Sequence, residues 1–207
     1  MPVAARFTYA QSGVDPLALL AVRFSVGALF LWLFRGHGEP ALPLRREWPW
    51  LALTLVGLVA TSGAYFLALK VIPAATAILL IYTYPAFTAL FARLFFREPL
   101  GLRRGAALIL VFAGSAALLG LSSIGRRALP IGGLVLALGG GLTYAAYGLG
   151  GQQLMRFRSA GWVSRWVVTG AALSFLAALS PRTLSGGGRG LLLGGLYLGF
   201  EIGRAHV

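Results

Sequence analysis

Cysteine is absent from all 207 residues, which excludes disulfides, thiolate metal sites and a cysteine nucleophile. Carboxylates are nearly absent too, the five being Asp15, Glu39, Glu47, Glu98 and Glu201. The first four fall in breaks between apolar runs or at their ends, and the last lies in the C-terminal tail. No acidic proton or sodium site is therefore expected at the centre of a membrane. The two histidines, His37 and His206, stand in a loop and in the tail. Paired-carboxylate, zinc or histidine-dependent catalysis has no material to work with. Neither GxSxG nor HExxH occurs, and no ATP-binding motif is found. Neither an enzyme, a cofactor nor a bound metal is expected.

What is abundant is apolar. Hydrophobic residues make up 58% of the chain and charged residues 11%, with a mean hydropathy of +0.81; soluble domains carry about 25% charged residues. A water-soluble packing of this length cannot hide so much apolar surface, so lipid is the expected solvent. The 29 glycines suit close helix approach in a bilayer, where small residues let backbones meet. The net charge of +13 does not point to nucleic acid. Of the 18 basic residues only Lys70 is a lysine, and most sit in short breaks between apolar runs, as the positive-inside rule expects. The arginine bias, with so much Ala and Gly, suggests a GC-rich bacterial genome.

A helix needs about 20 residues to cross a hydrocarbon core of about 30 Å. Six runs meet this: 17–34, 50–69, 72–96, 102–121, 131–151 and 161–179. Asp15-Pro16 places a capping carboxylate before a first-turn proline. Trp48-Pro49, Ile72-Pro73 and Leu129-Pro130 repeat the proline signal, and Trp48 and Trp162 suit interfacial anchoring. Short breaks dictate an up-and-down antiparallel arrangement, so the expected fold is an all-α polytopic transmembrane bundle. The breaks 35–49, 93–104 and 152–165 hold Arg35, Arg45, Arg46, Arg93, Arg97, Arg103, Arg104, Arg156, Arg158 and Arg165. The opposite side holds Arg6, Lys70, Arg126, Arg127, Arg182 and Arg189. The richer set belongs in the cytoplasm. Residues 4–13 read as the last turns of a span, and 191–200 cover about 15 Å, half a bilayer.

Inside the spans few charged side chains remain. Arg23 is the one charge well within a run, placed either to hold an anionic solute group or to snorkel to the interface. Tyr144 and Tyr147 are three apart and share a helix face. Tyr82 and Tyr84 are two apart, so only one can face a given cavity. Pro85 has no N–H to give the carbonyl of Ile81 one turn earlier, and such local breaks often line transporter sites. Tyr65 lies mid-helix. These tyrosines serve either helix packing or an expected cavity between spans 50–69, 72–96 and 131–151. Gly139-Gly140-Gly141 predicts a close helix crossing or a hinge. Arg97, Glu98, Arg103 and Arg104 form a loop cluster read mainly as topology and pairing.

The stretch "VDPLALLAVRFSVGALFL" resembles the second helix of the drug/metabolite transporter (DMT) superfamily, EamA type. Its successor, "LVGLVATSGAYFLALKVIPAATAILLIYTYPAFTALFARLFFREPLGLRRGAALILVFAGSAALLG", resembles the helices that follow in that family. A tyrosine-bearing helix comes first, then a small-residue helix with a proline before "FTAL", a Glu-containing turn and a Gly-rich helix. Tyr84 stands where many members carry Glu or Gln. The resemblance implies ten helices in two five-helix repeats of opposite orientation. It places the first repeat at 1–121, with helix 1 mostly missing, and an incomplete second repeat at 122–200. The closing "EIGRAHV" matches the translation of a common sequencing adapter, so 201–207 are expected to be foreign and the chain a fragment, inactive by itself. The implied activity is secondary transport of a small metabolite or drug by alternating access in the bacterial inner membrane. Arg23, Tyr65, Tyr84, Pro85, Tyr144 and Tyr147 are the candidate substrate-binding residues. The expected partners are a small-molecule substrate, the lipid bilayer and, in a homodimer, a second copy of the chain, with no nucleic acid. The alternative is a non-transport membrane scaffold or lipid-binding subunit.

Overall fold

The computed structural model describes residues 16–33, 42–96 and 129–179, with Gly101 and the helical residues 105–110, 112–114 and 117. Asp15, the runs 4–13 and 191–200, the tail 201–207 and the Arg97, Glu98, Arg103 and Arg104 cluster lie outside the described residues. Among the described residues there are helices and no strand. They are α1 (Pro16–Leu33), α2 (Trp48–Ala68), α3 (Ala74–Ile81), α4 (Tyr84–Phe96), α5 (Ile131–Leu154) and α6 (Ala160–Ala177). By length and composition, Trp48–Ala68, the combined Ala74–Phe95 and Ile131–Leu154 can cross a membrane. Helices α1 and α6 have 18 residues each, about 27 Å at helical rise.

The prolines act at the helix starts. Pro73 is extended (φ −60°, ψ 143°) and caps α3 with its carbonyl, which accepts from Ala77 N at 3.0 Å. Pro130 does the same for α5, accepting from Gly133 N at 3.0 Å. Helix α6 starts on a side-chain cap, Ser159, whose hydroxyl accepts from Trp162 N at 3.1 Å; a short hydroxyl satisfies an amide that the first turn leaves open.

Contacts divide the chain into two units, one of 1–59 with 149–207 and one of 60–148, the boundary passing through α2 and α5. In the first, α1 and α6 run antiparallel. Phe24 stacks on Phe175 with ring centroids 5.5 Å apart, and Trp32 meets Trp166 edge-on at 6.3 Å. The indole of Trp32 also donates to the Thr169 hydroxyl at 3.0 Å. Leu19, Leu20, Phe24 and Leu31 of α1 are buried, as are Val163, Val167, Ala171 and Phe175 of α6. The start of α2 crosses the end of α5 closely. A Cβ on Gly150 would lie 3.0 Å from both Thr54 N and Trp50 O, and nearer still to the Thr54 hydroxyl. Only glycine permits that approach.

In the second unit the rest of α2 runs antiparallel to α5, around a core of Ala68, Ile72, Ala77, Leu80 and Ala137. Small side chains at the crossing bring backbones together, which replaces the hydrophobic driving force that lipid removes. Val56, Leu94, Phe95, Val135 and Leu173 are exposed along their helices, as lipid-facing side chains are. The expected single span 72–96 is two helices, broken at Tyr82-Thr83.

Candidate functional site

The break begins with Pro85. Lacking an N–H, it cannot donate to Ile81 O, and the ladder tightens around it: Thr83 N bonds Leu80 O at 3.2 Å and Ala86 N bonds Thr83 O at 3.0 Å. Thr83 adds its hydroxyl to Leu80 O at 2.6 Å. The backbone of α5 lies directly against this irregular turn. A Cβ on Gly141 would stand 3.1 Å from Ile81 O, 3.1 Å from Thr83 Oγ1 and 3.3 Å from Leu80 O. Gly140 is similarly tight, 3.3 Å from Ile81 Cγ1, whereas Gly139 faces open space. The triple glycine is therefore a close crossing at its second and third members.

One turn beyond the crossing, three tyrosines meet. Tyr84, first residue of α4, meets Tyr144 of α5 edge-to-face, with centroids 4.6 Å apart at 74°. Tyr144 and Tyr147, on one face of α5, lie 5.5 Å apart. All three rings are half-buried, while Tyr82 points outward and is 57% exposed. Of the two tyrosines flanking Thr83, Tyr84 is thus the one that joins the cluster. The arrangement offers π-faces and edges to a flat or cationic solute, with phenol hydroxyls as donors and acceptors.

The remaining candidates sit elsewhere. Tyr65 packs against the core of Ala68, Ile72 and Leu80, edge-on to Phe66 at 5.4 Å. Arg23 belongs to the other unit, its guanidinium 5.4 Å from the ring centre of Phe24. Sequence reasoning passed over a hydroxyl relay in the crossing: Thr61 Oγ1 donates to Gly140 O at 3.1 Å and lies 2.8 Å from Thr143 Oγ1. Single threonines in apolar helices usually bond their own backbone, so nothing local marked these. Arg165, counted with a loop from its sequence position, is instead buried within α6, 5% exposed.

A second omission is the pair Glu47–Arg158. Arg158 Nε donates to Glu47 Oε1 at 2.8 Å and Nη2 to Oε2 at 3.1 Å. Burial alone would raise the Glu47 carboxyl. The hydrogen bonds from Arg158 and the Leu44 amide, with the charges of Arg158 and Arg46, outweigh it and hold the group below its usual value of 4.5. Among the described residues no cluster of His, Cys, Asp and Glu is able to hold a metal ion.

Comparison with known proteins adds the context for this geometry. A family model, the EamA-like transporter family, matches residues 2–120. The aromatic amino acid exporter YddG of Ancylobacter novellus is 30% identical over 178 residues, covering 84% of this chain and 59% of the exporter. The chain thus spans about 59% of the length of that curated relative. A solved crystal structure superposes with a TM-score of 0.66 at 26% identity, over 95% of this chain and 70% of that one. The chain belongs to the EamA-like transporter family and is a DMT-type, multi-pass helical protein of the bacterial inner membrane.

Proposed function

We propose that this chain is the larger part of a ten-helix secondary carrier that moves a small, flat, largely apolar metabolite out of the cell by alternating access. Aromatic amino acids are the first substrate class to test, because the relative YddG is named as their exporter. In this reading 1–121 and 122–200 belong to two opposed repeats, 201–207 are foreign, and a gradient or exchange supplies the energy. Its role is transport rather than catalysis. Tyr84, Tyr144 and Tyr147 contact the solute, and Pro85 supplies the backbone break on which Tyr84 is presented.

The observation that carries this reading is the meeting of Tyr84, at the proline break, with Tyr144 and Tyr147 of α5, which is closed against the break through Gly141. Irregular backbone at membrane depth is tolerated where protein covers it or a site needs it. The test is export of L-phenylalanine from inside-loaded vesicles bearing the complete gene product. Tyr144→Ala is expected to lower flux by about tenfold, the loss of one aromatic contact of about 1.4 kcal/mol. Unchanged flux in Tyr144→Ala would remove the cluster from the transport path.

A further inference from the structure

Glu47 and Arg158 form a buried, two-pronged ion pair. It joins the segment before α2 to the turn after α5, 111 positions apart in sequence, through the two hydrogen bonds given above. The side chains are 2% and 8% exposed. Glu47 Oε2 also accepts from Leu44 N at 2.8 Å. The Arg158 guanidinium lies 4.9 Å over the ring of Trp162, and Arg46 lies 5.0 Å over that of Phe157. The Glu47–Arg158 pair and the Arg46–Phe157 contact tie 42–47 to 155–162. The first segment falls inside the stretch 2–120 matched by the family, the second outside it.

A pair of this kind adds little net stability, because desolvating two charges offsets most of their attraction. It is strongly two-state, however. Half-open it leaves buried charge unpaired, and fully open it gives both charges to water, where hydration replaces the pair at small net cost. That is the energetic profile of a reversible catch. Resting on the alternating-access reading above, we propose that Glu47 and Arg158 form a gate latch. Closed, as here, it clasps 42–47 to the turn at 155–159, and it parts when the carrier opens at this end.

The chain has no cysteine, which makes the test direct. In the complete gene product, with any other cysteines replaced, Glu47→Cys and Arg158→Cys are bridged by a reversible bis-methanethiosulfonate reagent. L-phenylalanine flux is expected to fall about tenfold on bridging and to return with dithiothreitol. Equal flux in the bridged and reduced forms would overturn the latch. A second readout needs no substrate. Leu51→Cys, buried one turn beyond Glu47, is labelled with a membrane-impermeant maleimide. Glu47→Gln is expected to raise the labelling rate about tenfold, and the exchanged pair Glu47→Arg with Arg158→Glu to restore it. A static brace leaves the labelling rate unchanged at any melting temperature, and that result also refutes the proposal. Should vesicles carry no phenylalanine even when unbridged, the substrate reading fails and the labelling rate decides the latch. If Glu47→Gln does not fold, Arg158→Lys, which keeps the charge but gives up the two-pronged geometry, replaces it.

Discussion

At the residue scale, individual side chains are set by partners that sequence distance hides. Tyr144 touches both Tyr84 and Tyr147, so truncating it removes two ring contacts, and truncating Tyr147 removes one. Tyr147→Ala is therefore expected to impair phenylalanine flux less than Tyr144→Ala, with Tyr144→Phe separating ring from hydroxyl. Flux in Tyr144→Phe close to wild type would assign the work to the ring face. Glu47 carries the pH prediction. Its carboxyl is held below 4.5 when folded, facing Arg158 and Arg46. Its stabilising contribution is thus complete above the unfolded value and is lost as pH falls through the lower folded value. Melting temperature in detergent is expected to drop on acidification below 4.5 more in wild type than in Glu47→Gln. Near neutral pH, Glu47→Gln is expected to cost about 3 kcal/mol, because it leaves Arg158 buried without its charge partner.

Helices and their crossings form the next scale, and glycine position decides their tolerance. Gly139 and Gly141 are two apart in α5 with the same residue type, yet only Gly141 lies against backbone oxygen. Gly141→Leu forces α5 away from the Ile81 turn and is expected to destabilise by about 1–3 kcal/mol. Gly139→Ala meets nothing and is expected to be neutral or to stabilise by about 0.5–1 kcal/mol through lost unfolded-state freedom. Thermal melts of the two variants in one detergent decide it, and equal melting temperatures would contradict the crossing described here. Periodicity and proline marked where most helices start, since both are local signals. The break at Tyr82-Thr83 was half legible. Pro85 announced a freed carbonyl, but whether the helix would bend or split depended on α5 filling the space beside it.

At the scale of the whole molecule, charge and apolar length set the environment. The segment 42–47 and the turn 155–159 are held together by Glu47–Arg158 and Arg46–Phe157, so both breaks lie at one end of their unit. Arginine asymmetry predicts that this end faces the cytoplasm. Cysteines introduced at Arg45 and Arg156 are expected to react with impermeant maleimide in inside-out vesicles and to resist it in intact cells. Labelling of the two positions from opposite sides would break the pairing of these segments.

Composition and period alone determined that this chain is helical, that lipid surrounds it, and that Tyr144 and Tyr147 share a face, because each depends on neighbours within a few residues. The meeting of Tyr84 with Tyr144, the seat of Gly141 on the broken turn and the union of Glu47 with Arg158 were decided by tertiary structure. Each joins different helices or their flanking turns, and which faces of two apolar helices meet depends on how their small residues interlock, a property no single segment contains.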